Sequence, residues 1–239
     1  MKAVIIIPAR INSQRLEKKP LVKIFDKPLI WWVCKACKET GIETILATDS
    51  EEVKNAVKDL NIQVFITPSE LPSGSDRVAY VAKNLDAEKI INHQGDEPFA
   101  YIEDVNALLS ALNHYPVATL ALKDDCKEDS CVKVVVNSKS EAIYFSRANI
   151  PFQRNKNPNY PLKHVGIYAY QKEALLEFCQ HSPSEIELTE GLEQLRFFEI
   201  GFKVKVIKTN NFYHGVDTKE DLEKVANKLR LLRSSMFNL

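Results

Sequence analysis

Short apolar runs alternate along the chain with longer segments whose apolar residues recur at helical spacing. Strands that alternate with helices usually pair in parallel, so the pattern predicts an α/β fold with a mostly parallel, doubly wound sheet. Strands are predicted at residues 4–7, 44–47, 63–66, 89–92, 117–122, 132–136, 142–145, 164–170 and 203–207. Helices are predicted at residues 28–40, 51–60, 76–85, 102–113, 172–179, 188–200 and 219–232.

The regular alternation of predicted strands and helices changes in the second half of the chain. Residues 132–145 read as a hairpin, and residues 147–161 are rich in Pro, Asn and basic residues, which is typical of an extended loop. No repeat or clear linker is present. We therefore expect a single domain over residues 1–239, with a smaller mixed α+β lobe within about 130–212. Ser75 is predicted to cap the helix that follows it.

Composition describes an ordinary globular protein. The 239 residues are 45% hydrophobic and 27% charged, and the 32 Lys+Arg balance the 32 Asp+Glu. Net charge therefore gives no indication of nucleic-acid binding. No apolar run reaches the roughly 18 residues of a membrane span, and the first run is too short for a signal peptide. We expect a cytoplasmic protein without membrane insertion.

The five cysteines are odd in number, which argues against a disulfide framework. Cys34 and Cys37 could form a redox or metal site. However, they share a helical spacing with Ile30 and Val33, which favours buried structural thiols.

Charge is concentrated at the start of the chain, where residues 1–30 hold seven Lys/Arg against two Asp/Glu. Ligands of open α/β sheets bind beyond the carboxyl ends of strands. The loop after the first strand is therefore placed to bind phosphates, although a solvated basic loop is the simpler alternative. It contains neither a Walker A nor a dinucleotide-binding glycine pattern. Its basic residues are Arg10, Arg15, Lys18 and Lys19.

Two acidic positions could hold a hard cation. Asp96 lies at the carboxyl end of an apolar strand, and Asp217 lies just before the last helix. Mg²⁺ typically takes one or two carboxylates together with substrate phosphates. The simpler alternatives are a polar turn at Asp96 and a helix N-cap at Asp217.

Further polar residues follow these positions. Ser75 and Arg77 open a helix and could bind an anion, or form only a capped surface helix. The second half contains no nucleophile elbow and no H-E-x-x-H motif, so covalent catalysis is not indicated. Candidate residues in that half are Arg147, His164, Glu193, Gln194 and Arg196.

Taken in order, these motifs resemble the CMP-Kdo synthetases, the 3-deoxy-manno-octulosonate (Kdo) cytidylyltransferases, over nearly the whole chain. The similar segments are Ile7-Pro8-Ala9-Arg10, Ser13, Arg15-Leu16, Lys19-Pro20-Leu21, Ala47-Thr48-Asp49, Ser73-Gly74-Ser75-Asp76-Arg77, Gln94-Gly95-Asp96-Glu97-Pro98, Tyr144-Phe145-Ser146-Arg147, His164-Val165-Gly166-Ile167-Tyr168, Leu192-Glu193-Gln194-Leu195-Arg196 and Gly215-Val216-Asp217-Thr218.

The resemblance implies a nucleotidyltransferase, glycosyltransferase-A-like fold. It implies transfer of CMP from CTP to Kdo with release of pyrophosphate, Mg²⁺ as cofactor, and a homodimer built largely through the smaller lobe. Within that lobe, residues 147–161 are the candidate for the contact. It also implies three sets of site residues. The catalytic residues would be Arg10, Lys19, Asp96 and Asp217, of which Asp96 and Asp217 hold the metal. Nucleotide binding would use Ala9, Arg10, Arg15, Lys19, Ser75, Arg77 and Gln94. Sugar binding would use Arg147, His164, Tyr168, Glu193 and Gln194.

One departure from the family pattern concerns Glu17 and Lys18, which stand where the family usually has Pro-Gly. Without glycine the loop is less able to adopt positive φ. Two other functions remain open: a cytidylyltransferase for a related acidic sugar such as 8-amino-Kdo, and a non-catalytic nucleotide-sugar-binding protein. The presence of both Asp96 and Asp217 argues against the second. A metal-dependent glycosyltransferase is weaker still, because Gly95-Asp96-Glu97 is not a D-x-D motif.

Overall fold

Strands and helices follow the predicted alternation. The structure is a computed structural model and describes residues 2–12 and 16–236, with side chains up to residue 232. The strands are β1 Ala3–Ala9, β2 Lys23–Ile24, β3 Lys27–Pro28, β4 Glu43–Thr48, β5 Gln63–Ile66, β6 Lys89–Asn92, β7 Val117–Lys123, β8 Lys133–Val136, β9 Ala142–Ser146, β10 Leu162–Gln171 and β11 Val204–Thr209. The helices are α1 Leu29–Glu39, α2 Glu51–Asn55, α3 Gly74–Ala82, α4 Ile102–Ala111, α5 Lys172–Gln180, α6 Glu185–Glu190, α7 Arg196–Ile200 and α8 Lys219–Met236. Short 3-10 helices lie at Lys19–Leu21, Lys58–Leu60 and Glu193–Leu195.

The chain divides into two compact units. Unit 1 consists of Met1–Val4, Ala82–Asn92 and Ile102–Asn211. Unit 2 consists of Ile5–Val81, His93–Tyr101 and Phe212–Leu239. None of the described helices is long and apolar enough to cross a membrane.

In unit 2, strands β1, β4 and β5 lie side by side, and β4 pairs with β5 in parallel. The apolar run that predicted β1 is buried because Ile5, Ile6 and Ile7 are all fully enclosed. Helix α1 adds a buried face from Leu29 to Cys37. The carboxyl ends of β1 and β4 carry the polar residues of the site described below.

In unit 1 the strand order is β11-β7-β10-β6. Strand β11 is parallel to β7, whereas β10 is antiparallel to both β7 and β6. The predicted hairpin is present as β8 and β9. The expected α/β architecture with a mostly parallel central sheet is confirmed, and the antiparallel exceptions are the pairs that β10 makes and the β8–β9 hairpin.

The single helix predicted over residues 188–200 is wrong. Gly191 adopts φ 63° and ends α6, and the chain continues as the 3-10 helix Glu193–Leu195 and the short α7. Glycine enters this left-handed region at little cost, so it interrupts an otherwise helical apolar pattern. The helix predicted over residues 51–60 is also shorter, because α2 ends at Asn55 and only a 3-10 turn follows.

The predicted cap of α3 is displaced by two residues. Ser75 lies inside the helix and is fully buried, whereas the hydroxyl oxygen of Ser73 accepts from the backbone N–H of Asp76 at 3.2 Å. Ser73 therefore caps α3.

The cysteines fall into two groups. Cys34 and Cys37 are fully buried on α1, and burial raises the pKa of both thiols, in keeping with the predicted structural role. A single short-range disulfide joins Cys126 to Cys131. This bond was not predicted from the odd cysteine count.

Candidate active site

Three charged side chains from distant parts of the sequence meet in unit 2. The ammonium nitrogen of Lys19 lies 2.5 Å from Oδ2 of Asp96 and 3.0 Å from Oδ1 of Asp217. The Lys19 side chain is 16% exposed, and each carboxylate is about one third exposed. Burial disfavours the charged lysine, but the two carboxylates outweigh it and raise the pKa of Lys19 above its ordinary value. Lys19 is therefore a cation at neutral pH.

The backbone before Lys19 makes a tight turn. Lys18 has φ 46° and ψ 41°, the left-handed conformation, and the 3-10 helix Lys19–Leu21 follows with Pro20 in its first turn. The Lys18 side chain points away from the carboxylates and pairs with Glu52 at 2.9 Å on the exposed surface. Lys18 therefore adopts the left-handed conformation although it is not a glycine.

The segment around Asp96 is held against β1. A Cβ atom added at Gly95 would lie 2.6 Å from the carbonyl oxygen of Pro8, so the two backbones touch. The carbonyl oxygen of Asp96 accepts from the backbone N–H of Val216 at 2.9 Å. This bond joins the segment that carries Asp96 to the one that carries Asp217.

Asp217 is fixed in turn by the start of α8. The carboxylate of Asp221 accepts from the backbone N–H groups of Asp217 and Thr218, at 3.0 and 2.9 Å. Its other oxygen lies 2.7 Å from Nε2 of His214. The predicted alternative for Asp217, a helix N-cap, does not hold, because the side chains of Thr218 and Asp221 form the cap.

A cavity of about 280 Å³ opens beside these charges. Its wall is formed by the end of β1, the start of α3 and the segment around Asp96, all within unit 2. The lining residues are Pro8, Ala9, Arg10, Asn12, Lys19, Pro20, Leu71, Ser73, Gly74, Arg77, Gln94, Gly95 and Asp96. Three cationic side chains on one concave surface make it suited to a polyanionic ligand.

Most of the predicted nucleotide-binding residues are in that wall. Ala9, Arg10, Lys19, Arg77 and Gln94 all line the cavity. Ser75 does not; it is enclosed within α3. Arg15 lies outside the described residues.

Asp49 is a site residue that the sequence did not single out by itself. Its carboxylate accepts from the backbone N–H of Ile11 at 3.0 Å and lies 3.5 Å from Nη2 of Arg77. Arg77 also donates to the carbonyl of Pro68 at 3.2 Å and to the hydroxyl of Thr67. Asp49 thus links the loop after β1 to Arg77. Its place at the carboxyl end of β4, the neighbour of β1, is the signal that could have revealed it.

The Asp96–Asp217 pair fits a divalent metal ion. Oxygen atoms of both carboxylates approach a single cationic nitrogen within 3.0 Å, so the two side chains converge on one position. Hard oxygen donors suit Mg²⁺, which completes its shell with phosphate oxygens and water. Two carboxylates beside a basic cavity provide the protein part of such a site.

The predicted sugar-binding residues lie in unit 1. Arg147 directs its guanidinium at three backbone carbonyls, those of Glu190 at 3.1 Å, Asp129 at 3.0 Å and Gly191 at 3.3 Å. A guanidinium has five N–H donors. Two of its donors are therefore not used by these three hydrogen bonds.

His164 and Tyr168 are neighbours on β10. Nε2 of His164 lies 3.0 Å from the Thr119 hydroxyl, and its ring centroid lies 5.2 Å from that of Tyr168. Burial lowers the pKa of His164 to about 3, so the ring is neutral at physiological pH. The Tyr168 hydroxyl is buried without a hydrogen-bond partner among the described residues. A buried unpaired hydroxyl is costly unless a ligand or water satisfies it.

Glu193 and Gln194 share a 3-10 helix in the same unit. Burial raises the pKa of Tyr168 well above its usual value, and electrostatic repulsion from Tyr170 and Glu193 acts in the same direction, which puts Glu193 within electrostatic range of Tyr168. Gln194 is buried. Arg196 instead forms a buried ion pair with Glu187, with Nε 2.7 Å from Oε2, so it is a structural residue.

Comparison with known proteins agrees with this fold. Residues 4–208 match the family model described as Cytidylyltransferase, so the chain is a protein of the cytidylyltransferase class.

Similar proteins have a more specific name than this family model. A 3-deoxy-manno-octulosonate cytidylyltransferase from Bdellovibrio bacteriovorus is 40% identical, covering 94% of this chain and 96% of the relative. One from Escherichia coli is 41% identical, covering 94% of both chains. A solved structure of CMP:2-keto-3-deoxy-manno-octonic acid synthetase complexed with CTP is 39% identical, with a TM-score of 0.89, and covers 97% of this chain and 99% of that chain. The chain belongs to the 3-deoxy-manno-octulosonate cytidylyltransferase family.

Proposed function

We propose that the chain transfers CMP from CTP to the anomeric hydroxyl of Kdo, giving CMP-Kdo and pyrophosphate, and so activates Kdo for lipopolysaccharide synthesis. The observation that carries this proposal is the ion pairing of Lys19 with Asp96 and Asp217 beside the basic cavity. A nucleotidyl transfer of this kind needs cations for the triphosphate and carboxylates for a metal, but no protein nucleophile.

The nucleotide side of the reaction belongs to unit 2. Arg10, Lys19 and Arg77 bind the triphosphate with charge-assisted hydrogen bonds, and Ala9 and Gln94 contact the nucleotide from the cavity wall. Ser75 supports the start of α3 from within. Arg15 is a further proposed phosphate ligand, carried by the family resemblance alone.

Asp96 and Asp217 are the proposed ligands of Mg²⁺. When bound, Mg²⁺ neutralises charge on the phosphate oxygens and on the departing pyrophosphate. Lys19 leaves the carboxylates and holds the phosphate oxygens, which keeps the triphosphate oriented for in-line attack on its α-phosphorus. The bond from that phosphorus to the bridging oxygen breaks as the bond to the sugar oxygen forms, pyrophosphate leaves, and the proton of the sugar hydroxyl passes to solvent.

The sugar side of the reaction is assigned to unit 1. Kdo carries a carboxylate and several hydroxyls. The two N–H donors left on Arg147 suit the carboxylate, because a guanidinium offers paired donors in one plane. His164, Tyr168, Glu193 and Gln194 suit the hydroxyls, and the unpaired Tyr168 hydroxyl supports a polar ligand at this place.

We also propose a homodimer that forms through the smaller lobe within about 130–212. Large apolar side chains in that part of the chain are open to solvent: Phe152 is 91% exposed, Leu188 71% and Ile143 56%. Exposed apolar groups of this size are typical of protein contacts. Light scattering tests the proposal, and a monomeric mass at micromolar concentration would contradict it. The proposed location is the cytoplasm, where nucleoside triphosphates are available.

The function is tested by pyrophosphate release from CTP with Mg²⁺ and a panel of acidic sugars. We expect turnover with Kdo, and its loss in Asp96→Asn with the fold retained by circular dichroism. Asp86→Asn makes the same change on an exposed surface residue and should leave the rate unaltered. Turnover with 8-amino-Kdo but not with Kdo would show that the acidic sugar is the 8-amino analogue. Binding of CTP without any turnover would indicate a non-catalytic protein. Near-normal rates in Asp96→Asn would refute the metal role of Asp96.

A further inference from the structure

Glu190, the last residue of α6, accepts hydrogen bonds from the segment that carries Arg147. One carboxylate oxygen accepts from the Ser146 hydroxyl at 2.6 Å and the Tyr144 hydroxyl at 3.3 Å. The other accepts from the backbone N–H of Arg147 at 3.1 Å. Three donors from one short segment therefore converge on a single carboxylate.

The same residue also reaches the Arg147 side chain. Nε of Arg147 donates to the backbone carbonyl of Glu190, and Nη2 donates to that of Gly191. Carbonyls at a helix end lack partners within the helix, and arginine is a common partner for them. Gly191 ends the helix in the left-handed conformation, which leaves these carbonyls open to the guanidinium.

These contacts hold both the backbone and the guanidinium group of Arg147. The carboxylate of Glu190 fixes the arginine backbone, and the end of α6 fixes its guanidinium. An arginine side chain otherwise has large rotamer freedom, and ordering it on binding a ligand costs affinity. Here that ordering is already present before a ligand arrives.

We propose that Glu190 is a positioning residue for acidic-sugar binding, which acts by holding Arg147 so that its two remaining N–H donors face the sugar carboxylate. This inference rests on the proposed function and names the residue that organises its sugar subsite. Glu190 does not touch the substrate itself. Its removal should therefore weaken the use of the sugar and leave the use of CTP unchanged.

The test compares kcat/KM for Kdo and for CTP in Glu190→Ala and Glu190→Gln. We expect Glu190→Ala to lower kcat/KM for Kdo about tenfold, on the scale of losing partly buried hydrogen bonds, with KM for CTP unchanged. Glu190→Gln should fall between wild type and Glu190→Ala. An amide oxygen can still accept from Arg147 N–H, and the hydroxyls of Ser146 and Tyr144 can reverse to accept from the amide group.

Two controls separate positioning from a general structural effect. Glu185→Gln makes the same charge change at an exposed position in the first turn of α6 and should match wild type. In an Arg147→Ala background, Glu190→Ala should have no further effect on kcat/KM for Kdo, because its route to the substrate is already removed.

The outcomes are distinct. A parallel loss for CTP and Kdo, an additive double variant, or an unchanged Glu190→Ala in an active enzyme would each overturn the positioning role alone. A wild-type protein that releases no pyrophosphate from CTP and Kdo would overturn the proposed function and this inference with it.

Discussion

Nζ of Lys19 lies 2.5 Å from Oδ2 of Asp96, so the proposed triphosphate ligand is also the cation that neutralises a proposed metal ligand. The lysine and a metal ion compete for the same carboxylate oxygens. We therefore predict that Lys19→Gln binds Mn²⁺ more tightly than wild type when nucleotide is absent, by on the order of tenfold, the usual effect of removing one close positive charge. Calorimetric titration of the nucleotide-free protein measures this.

The same variant should lose pyrophosphate release, because the triphosphate loses its ligand. Lys83→Gln, a change of an exposed lysine, serves as the control and should alter neither property. Equal Mn²⁺ affinity in wild type and Lys19→Gln would show that the lysine does not compete with the metal.

The contact between Gly95 and Pro8 predicts that position 95 accepts no side chain. In Gly95→Ala the new Cβ would meet a backbone carbonyl at 2.6 Å, so β1 or the Asp96 segment must shift. We expect a loss of about 1–3 kcal/mol in the free energy of unfolding, as for other overpacked sites, together with lower activity. Urea unfolding and the pyrophosphate assay measure the two effects.

Gly215→Ala is the matched control, since nothing lies within 4 Å of a Cβ at that position. It should differ little from wild type. Equal stability of the two alanine variants would contradict the close approach at Gly95.

The left-handed turn at Lys18 predicts an unusual order of stability. A residue with a Cβ pays about 1–2 kcal/mol in this conformation, and glycine does not. Lys18→Gly should therefore be more stable than Lys18→Ala, by about 1 kcal/mol. Both variants lose the exposed pair with Glu52, which contributes little. Thermal or urea unfolding of the two variants gives the difference directly, and a more stable alanine variant would rule out positive φ at residue 18.

Two buried histidines predict how stability depends on pH. Burial lowers the pKa of His93 to about 4 and that of His164 to about 3. In the unfolded chain each titrates near 6.5, so between these values the unfolded state binds more protons. Stability should therefore fall as pH decreases below about 6.5, by up to about 1.4 kcal/mol per pH unit for each histidine.

The contribution of one histidine can be isolated by substitution. His164→Phe should reduce the pH slope of the unfolding free energy, whereas His114→Phe, at an exposed position, should retain it. Identical slopes in all three proteins would mean that His164 is not held neutral in the folded state.

Local sequence patterns predicted the elements well where the signal is itself local. The apolar run of β1 and the helical spacing of α1 are examples, since both depend on residues a few positions apart. The prediction failed over residues 188–200, because the apolar spacing continues past Gly191 while the backbone does not. A helical period records which side chains are buried, and it does not record where one glycine turns the chain.

The residues of the candidate site also differ in how far the sequence could predict them. Lys19, Asp96 and Asp217 were chosen by residue type and by similarity to a family, and the structure brings them together. Asp49 was noted only as part of a family-like segment, without a role, and Glu190 was missed, because their partners are 38 and 43–46 residues away in sequence. Such supporting contacts have no spacing rule. They depend on how separate segments are folded against one another.

The hydrogen bond between Asp96 and Val216 joins two segments that are far apart in sequence, and this separation has a consequence for how the protein is made. Asp96 lies 77 residues after Lys19, and Asp217 lies 198 residues after it. During translation the lysine and the first carboxylate leave the ribosome long before the second. A chain interrupted or cleaved ahead of residue 217 has only half of the carboxylate pair. The proposed metal site is therefore complete only after nearly the whole chain has been made.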